Sequence, residues 1–543
     1  ETVDGIQWKV TVYMAPTEGS FSLIEQWAKD DGTSWWKVVT RDNVTHRYGT
    51  SSDARIADPA DKSHIATWYI EYSEDAVGNK ILYRYKPEND ENVPPAIYEQ
   101  NRSVRANRYI ESIVYGNYLD SDGNEQYAFE IVFDYGGYDL QHPDQLPGMW
   151  TARCDPFSTY RAGFEIRTFR LCRSILMFHR FADLFNGERF LVRATTLGYD
   201  ESPAFSLLTS VQATGYRKRD DGSYETESLP PLRFGYSPFQ PEGRKFTPLI
   251  VGEDTTIPGA LTQGQFMPVD LHGEGLPGFL YSDDATTLYW EPKGGGVYGY
   301  PESPVDFPIE RDLGDIRYTL ADLDSNGKLE LVVQAPSRGG YYREADDRTW
   351  EPYQSFVSYP LIMADSQRDM VDLTGDGRAD IVTFGDDTVV YYPSEGVAGF
   401  GPSVSIEQRR GFPAGTDTSS TDTLEFADMF GDGLMHRVLI SRGLVVCWPN
   451  IGYGRFGTPV FMGDAPQYLG GLSASRVFLA DTDGSGTADI IYVYPDRVDI
   501  YMNRSGNSFS APVSIPLPEQ YSELDQIMFS DIRGNGTMSM VFT

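Results

Sequence analysis

An acidic, glycine-containing loop recurs six times in the second half of the chain, and its spacing constrains the fold more than any other feature. The loops begin at Asp270, Asp322, Asp372, Asp428, Asp481 and Asp531, which lie 52, 50, 56, 53 and 50 residues apart. Apolar, strand-like segments flank each loop, and an aromatic segment follows, as at residues 389–392. A period of about 50 residues with several short strands is typical of β-propeller blades.

The first half shows a different pattern, in which apolar and polar residues alternate between hairpin turns. Residues 68–72 and 81–85 are examples, with apolar or aromatic side chains at every second position. This period is typical of antiparallel strands. A junction rich in Pro and Gly at residues 236–243 separates the halves. We therefore predict an all-β protein, with an antiparallel β domain at residues 1–245 and a six-bladed β-propeller at residues 246–543.

The sixth repeat reaches Thr543 directly after its second predicted strand. Ring closure then requires a strand from upstream, near residues 246–250, or a protein that continues beyond Thr543. We favour continuation. A blade without the loop motif remains a further alternative, so the six loops predict six blades without fixing the number.

Composition limits the classes of partner. The chain carries 79 acidic and 45 basic residues, a net charge of −34. Nucleic acids and anionic membrane surfaces attract basic faces, so we expect neither as a partner. No stretch has the length and apolarity of a membrane span, so we expect no direct membrane insertion. Three cysteines cannot build a disulfide framework.

Three of the loops offer oxygen atoms in a pattern that suits calcium. Side chains at positions 1, 3, 5 and 9, with a backbone carbonyl at position 7, can form a calcium cage. The predicted ligand sets are Asp322, Asp324, Asn326, Lys328 and Glu330; Asp372, Thr374, Asp376, Arg378 and Asp380; and Asp481, Asp483, Ser485, Thr487 and Asp489. Lys328, Arg378 and Thr487 would contribute carbonyl oxygens. The alternative is an Asx-type turn without metal, in which the first Asp accepts backbone N–H groups.

The other three loops lack this pattern. Their third position is His272, Phe430 or Arg533, and the ninth position is Gly278 in the first loop and His436 in the fourth. We expect these loops to be turns without metal.

Residues 164–178 alternate apolar and charged side chains before the register slips, which predicts one long strand with a bulge. The charged side chains here include Glu165, Arg167, Arg170 and Arg173. We expect salt bridges along the strand faces rather than an anion-binding active site.

Several of these segments resemble the amino-terminal region of the B component of bacterial Tc (toxin complex) insecticidal toxins, which begins with an SpvB-like module. The likeness is strongest at residues 75–85, 129–135 and 155–172, and it continues through 207–211 to 229–236. The block 155–172 is the most specific. The acidic loops resemble the FG-GAP/VCBS repeats that follow in that family.

The resemblance implies a secreted module of a toxin complex. Residues 1–245 would form the first section of a shell wall, and the propeller would dock on the pore-forming A component and gate the passage of unfolded cargo. The C component and an Rhs/YD-repeat shell would enclose the cargo downstream. The YD repeats are absent here, so encapsulation is not expected of this chain alone.

We expect no enzymatic activity. Glu225 and Glu227 match the Glu-x-Glu element of ADP-ribosyltransferases, but they lie in a predicted hairpin and the chain has no Ser-Thr-Ser segment. Two alternatives remain open. One is a cell-surface adhesin or lectin-like propeller, and the other is a structural domain of an enzyme whose catalytic part lies beyond Thr543.

Overall fold

The structure, a computed structural model, divides the chain into two compact units. One unit contains Glu1–Ala96 and Arg102–Ser237, and the other contains Ile97–Asn101 and Pro238–Thr543. The units part after Ser237, whereas the sequence pattern places the boundary after residue 245. The structure describes residues 2–3, 5–17, 19–103, 105–120, 122–181, 184–252, 255–256, 266–282, 286–308, 318–335, 338–360, 368–385, 388–409, 411–413, 422–468, 471–522 and 525–542.

A large antiparallel sheet dominates the first unit. From one edge to the other its strands are Tyr224–Ser228, Ser206–Lys218, Phe190–Glu201, Ser174–His179, Glu125–Asp134, Arg108–Leu119, Lys80–Pro87, Ile70–Glu74, Thr45–Tyr48, Ser34–Val39, Leu23–Ala28 and Lys9–Tyr13, and Leu232–Arg233 also pairs with Ser206–Lys218. The smaller pairs are Thr2–Val3 with Ile6–Gln7, Arg55–Ala57 with Ile65–Trp68, and Phe157–Thr159 with Ile166–Thr168. Strands adjacent in the sheet are mostly adjacent in sequence, as successive hairpins require.

One face of this sheet carries a buried row. Ser112, Val132, Leu176 and Ala194 lie opposite one another on four neighbouring strands, and all four are buried. Tyr138 packs against this row from outside the sheet. Because successive side chains of a strand point to opposite faces, the residues between these positions lie on the other, half-exposed face.

The long strand predicted at residues 164–178 is wrong. Ile166–Thr168 and Ser174–His179 are separate strands in different sheets. The connection between them carries Arg170, whose Nε donates to Oε2 of Glu88 at 3.0 Å inside the unit. Burial of this guanidinium draws the chain away from the strand direction. Glu165, Arg167 and Arg170 are buried, whereas Arg173 pairs with Glu201 at a partly exposed position.

The second unit is a β-propeller built from repeated small antiparallel sheets. In chain order, the first sheet contains Phe266–Val269, Gly278–Ser282 and Thr287–Trp290, and the second contains Tyr318–Ala321, Glu330–Ala335, Arg338–Tyr342 and Gln354–Ser355. The third contains Arg368–Val371, Asp380–Phe384, Thr388–Tyr392 and Val404–Glu407, and the fourth contains Thr423–Ala427, His436–Ser441, Leu444–Trp448 and Val460–Met462. The fifth contains Val477–Ala480, Asp489–Val493, Arg497–Tyr501 and Val513–Pro516, and the sixth contains Ile527–Ser530 and Ser539–Phe542. Ile250–Val251, Thr255–Thr256, Pro292–Gly294 and Val297–Tyr298 form another sheet, and Asn503–Arg504 pairs with Ser508–Phe509. Short 3₁₀ helices cover Ser52–Ala54, Ile97–Glu99, Phe185–Gly187, Gly396–Ala398 and Ala474–Arg476.

The apolar cores of the propeller lie between neighbouring blades. Val382 and Tyr391 of the third sheet pack in one cluster with Val446 and Trp448 of the fourth sheet. Alternation along each strand places such residues on the faces that meet the next blade. Each blade therefore depends on its neighbour for burial, as in other repeat folds.

The first strands of the blades lie at the centre, and the last blade contacts the first. The strand Phe266–Val269 touches Ile527–Ser530, and the Gln526 side-chain amide donates to the carbonyl of Phe266 at 2.8 Å. The loops that follow these strands also meet, because a Cβ atom at Gly534 would lie 2.7 Å from Cδ2 of Leu276. Residues upstream of the first blade contribute side chains here, since the rings of Phe246 and Phe542 lie 6.2 Å apart.

The predicted fold class is confirmed. An antiparallel β unit precedes a β-propeller, and no α-helix occurs within the described ranges. The number of blades stays a prediction, because the sheet formed by Ile527–Ser530 and Ser539–Phe542 has only two strands among the described residues.

Candidate functional site

All six acidic loops share one hydrogen bond that fixes their turn. A carboxylate oxygen of the first Asp accepts the backbone N–H of the sixth residue, a glycine, at 2.6–2.9 Å. The glycines are Gly275, Gly327, Gly377, Gly433, Gly486 and Gly536. All six have positive φ, which a glycine adopts without steric cost. The turn thus forms with its own backbone donors, as the Asx-type alternative describes.

In the third and fifth loops the ninth residue is a buried Asp, whose carboxylate accepts backbone N–H groups from separate parts of the blade. Oδ2 of Asp380 accepts the N–H of Leu373 at 3.0 Å, and Oδ1 accepts the N–H of Ser394 at 2.8 Å. Oδ1 of Asp489 likewise accepts the N–H of Asn503 at 2.8 Å. These carboxylates tie the start of the loop to the end of the third strand of the same blade. Burial raises the pKa of Asp380 to about 6 and that of Asp489 to about 7.

The fifth loop brings its predicted acidic ligands together. Ligand oxygens of Asp481, Asp483 and Asp489 lie within 4.8 Å of one another, and no basic side chain pairs with them among the described residues. Ser485 Oγ lies 2.9 Å from Oγ1 of Thr487. Burial, with the charge of Asp483, also raises the pKa of Asp481. A hard divalent cation would neutralise this crowded set with the oxygen ligands it prefers.

The third loop is more open than the fifth. Asp372, Asp376 and Asp380 do not form one of the groups whose ligand atoms lie within 4.8 Å in the described part of the chain. Thr374 Oγ1 lies 3.4 Å from Asp372 Oδ1, and Asp376 accepts the N–H of Arg378 at 3.0 Å. A cation there would require the carboxylates to close around it.

The second loop contains a basic side chain that the sequence pattern does not predict. Oxygens of Asp322, Asp324 and Glu330 lie within 4.8 Å of one another. Nη2 of Arg343 donates to Asp324 Oδ2 and to Glu330 Oε1, both at 2.9 Å. Two other members of the predicted set bond to each other, because the N–H of Lys328 donates to Oδ1 of Asn326 at 2.7 Å.

The fourth loop holds a histidine where the others hold a carboxylate. Nδ1 of His436 accepts the N–H of Asn450 at 3.0 Å, so Nδ1 has no proton and Nε2 carries the one that a neutral ring requires. Nε2 therefore donates to Oδ1 of Asp432 at 3.1 Å, and Asp428 Oδ1 lies at 3.7 Å. The ring thus gives Asp432 Oδ1 a hydrogen-bond donor without adding a positive charge. The sequence shows a histidine at position 9 of this loop, but the tautomer of His436 follows only from the Asn450 N–H group that Nδ1 accepts in the structure.

A buried polar network in the first unit is a second notable feature. Glu165 Oε1 accepts from Ser158 Oγ at 2.7 Å and from Nη1 of Arg102 at 3.1 Å. Arg167 Nη1 donates to the same Ser158 hydroxyl at 3.1 Å. The charges are mutually satisfied, as buried charges must be. The arrangement is that of a structural network rather than a site that awaits a substrate.

Comparison with known proteins shows where these two units occur together. Residues 1–181 match the family described as "SpvB: Salmonella virulence plasmid 65kDa B protein". Mono(ADP-ribosyl)transferase SpvB of Salmonella typhimurium and of Salmonella choleraesuis are each 38% identical over 223 residues, which is 38% of this chain and 38% of each relative.

Solved structures cover the whole chain. The Tc holotoxin pore of Photorhabdus luminescens matches with a TM-score of 0.87 and 30% identity, over 100% of this chain and 26% of that chain. TcdB2-TccC3 matches with a TM-score of 0.73 and 30% identity, over 100% of this chain and 27% of that chain. The chain thus spans about a quarter of the length of these matching chains.

An antiparallel β unit that precedes a propeller is thus similar, over its whole length, to part of two bacterial toxin-complex structures. Residues 1–181 match the SpvB family model, and the whole chain is similar in structure to part of these Tc toxin complexes, as expected of an SpvB-like amino-terminal region of a Tc toxin B component. The predicted resemblance is confirmed. Among the described residues, no helix is long and apolar enough to cross a membrane.

The prediction that the protein is not an enzyme is corrected by these comparisons. The SpvB relatives are named mono(ADP-ribosyl)transferases, which points to a family that includes enzymes, although the match covers 223 residues. Absence of a catalytic motif within 543 residues says nothing about the rest of a longer relative. The Glu225 and Glu227 pattern therefore does not decide the family's chemistry.

Proposed function

We propose that the chain acts in a toxin complex, where its first unit forms a section of the cargo-enclosing shell wall and its propeller docks on the pore-forming A component. The observation that carries this proposal is the full-length match, with a TM-score of 0.87, to a Tc holotoxin pore. The C component, the Rhs shell and the cargo would lie downstream of the propeller, and the assembled complex would be secreted.

The edges of the large sheet support the wall role. Strand Lys9–Tyr13 and strand Tyr224–Ser228 are the ends of the sheet order, and no further strand pairs with either outer edge among the described residues. Val12, Tyr13 and Leu232 beside these edges are exposed. Unpaired edges with apolar side chains attract further strands, so a longer sheet wall would satisfy both.

The propeller supports docking because its loops form a continuous surface around the central strands. A Cβ atom at Gly431 would lie 3.3 Å from Cγ2 of Thr487 in the next loop, and the contact of Gly534 with Leu276 returns from the last loop to the first. This continuous rim suits a ring-shaped partner that surrounds an axis. A gate at the axis would then control passage of unfolded polypeptide.

Mixing the chain with a Tc-type A component tests the docking role. We expect a complex in size-exclusion chromatography, and electron microscopy should place the propeller against the A component. Gly506→Ala should weaken the complex, because its Cβ would lie 2.2 Å from Cδ1 of Phe430 between two blades. Gly222→Ala is the matched control, since this glycine also has positive φ but lies in a hairpin of the first unit with no atom within 4 Å. No complex at micromolar concentration would contradict docking.

We also propose that calcium binds the third and fifth loops, through Asp372, Thr374, Asp376, Arg378 and Asp380 and through Asp481, Asp483, Ser485, Thr487 and Asp489. The crowded carboxylates of the fifth loop, of which Asp489 is buried, support this proposal. EDTA should lower the melting temperature, and Asp481→Ala should remove part of that shift.

Asp531→Ala is the control for this experiment. Asp531 accepts the N–H groups of Asn535 and Gly536, much as Asp481 accepts those of Gly484 and Gly486. Both variants therefore lose a similar turn, but only the change at Asp481 should alter the EDTA response. An equal EDTA shift in both variants would show that the fifth loop does not bind the metal.

A further inference from the structure

We propose that Arg343 is a built-in cation of the second acidic loop, which holds Asp324 and Glu330 in place of calcium. This inference deepens the calcium proposal, on which it rests for its contrast with the third and fifth loops. It assigns a charge-neutralising role to a residue outside the loop. Replacing that residue should create a calcium site.

The first argument is the position of the guanidinium. Arg343 Nη2 lies 2.9 Å from Asp324 Oδ2 and 2.9 Å from Glu330 Oε1, and Nε lies 3.0 Å from the same Glu330 oxygen. Calcium binds oxygen ligands at about 2.3–2.6 Å. An ion held by these two oxygens would lie almost where Nη2 lies. The ion and the guanidinium cannot occupy this position together.

The second argument is charge. Glu330 is buried, and a buried carboxylate requires a partner for its charge. A guanidinium remains charged at all relevant pH values and forms a planar fork that fits two carboxylate oxygens. The carboxylates thus have a permanent partner, supplied by the same blade just after the strand Arg338–Tyr342. The fifth loop, whose carboxylates also crowd together, has no such partner among the described residues.

The third argument is that the oxygen set is otherwise complete. Asp322, Asp324, Asn326, the carbonyl of Lys328 and Glu330 occupy all five positions of a calcium loop. The loop therefore has what an ion needs, apart from space and an unsatisfied charge. Removing the guanidinium supplies both.

Calcium titration of the wild-type chain and of Arg343→Gln tests this role, with isothermal calorimetry after EDTA treatment and dialysis. We expect the variant to bind about one more calcium ion per chain than the wild type, in the micromolar to millimolar range. Arg338→Gln is the matched control, because Arg338 lies in the same blade and stacks over Tyr353 rather than on the loop. The control should bind as many ions as the wild type.

The outcomes separate this role from the calcium proposal. If the wild type binds no calcium but Arg343→Gln binds one ion, the proposed third and fifth sites fail and the role of Arg343 stands. If Arg343→Gln gains no site, or the wild type already binds at the second loop, the role of Arg343 is refuted. Should Arg343→Gln fold only with calcium, Arg343→Gln/Glu330→Gln removes the buried charge, and this double variant should fold without gaining a site.

Discussion

The ion pair between Arg170 and Glu88 gives the sharpest test of what holds the first unit together. Both side chains are fully buried. Arg170 Nη1 also donates to the carbonyl of Glu91 at 2.8 Å, and Glu88 Oε1 accepts the N–H of Asp90 at 2.8 Å. Removing the arginine would therefore leave a buried carboxylate with backbone donors but without its counter-charge.

Arg170→Met performs this removal while keeping an unbranched apolar side chain. Breaking a buried pair by removing one partner costs about 3–5 kcal/mol, because the remaining charge stays desolvated. We expect a loss of this size in urea unfolding at pH 8. Trp fluorescence can follow the transition, since Trp150 lies beside the pair and its backbone carbonyl accepts from Nη1 of Arg170 at 3.3 Å.

Two further variants decide whether the reasoning is correct. Arg170→Met/Glu88→Gln removes both charges, and it should recover about half or more of the loss. Arg217→Gln breaks an exposed pair, in which the Arg217 and Glu225 side chains are 77% and 44% exposed, and it should leave the urea midpoint unchanged within error. If Arg170→Met lowers the free energy of unfolding by less than about 1 kcal/mol, the argument that the buried Glu88 carboxylate requires its counter-charge is refuted.

Three other outcomes follow from the propeller loops. His436→Ala removes the acceptor of the Asn450 N–H group and a fully buried ring, so urea unfolding should show a loss of about 2–4 kcal/mol with an unchanged calcium response. In EDTA, the free energy of unfolding of the propeller should fall by about 4 kcal/mol from pH 5 to pH 8. Burial raises the pKa of Asp380 to about 6 and that of Asp489 to about 7, from the ordinary value of 3.8. The unfolded chain therefore loses these two protons at lower pH than the folded chain, and a rise in pH favours unfolding. Gly506→Ala should lower the melting temperature, because its Cβ would lie 2.9 Å from the carbonyl oxygen of Met429; an unchanged transition would contradict the close packing of these blades.

The sequence predicts the acidic loops well because their geometry is local. The first Asp accepts N–H groups within five residues of itself, so the residue pattern contains both partners. The period then identifies the propeller, since each loop joins the first and second strands of one blade. Ion binding is a separate property, and the period predicts the fold whether or not an ion is bound.

Ion-pair partners that are distant in sequence cannot be predicted from the same pattern. Arg343 lies 19 residues after Asp324, and its position depends on how the third strand crosses the blade. Arg170 lies 82 residues after Glu88, so the alternation around residues 164–178 indicates a long strand although a buried ion pair interrupts it. The block 155–172 is nevertheless the most specific part of the family resemblance. Four of its five charged residues, Asp155, Glu165, Arg167 and Arg170, are buried with fixed partners.

The partners of the loop carboxylates therefore vary among the loops, whereas the turn does not. In the second loop, the Arg343 guanidinium donates to Asp324. In the fourth, the Nε2–H group of His436 donates to Asp432. The carboxylates of the fifth loop have no basic partner in the described structure. Because the turn hydrogen bond is common to all six loops, we expect the propeller to close without metal. Calcium would instead stabilise particular blades, and its removal should loosen the fifth loop before the ring opens. A partner that docks on the loop surface would then contact blades of different rigidity. Calcium concentration would change that rigidity mainly in the blade that contains Asp489.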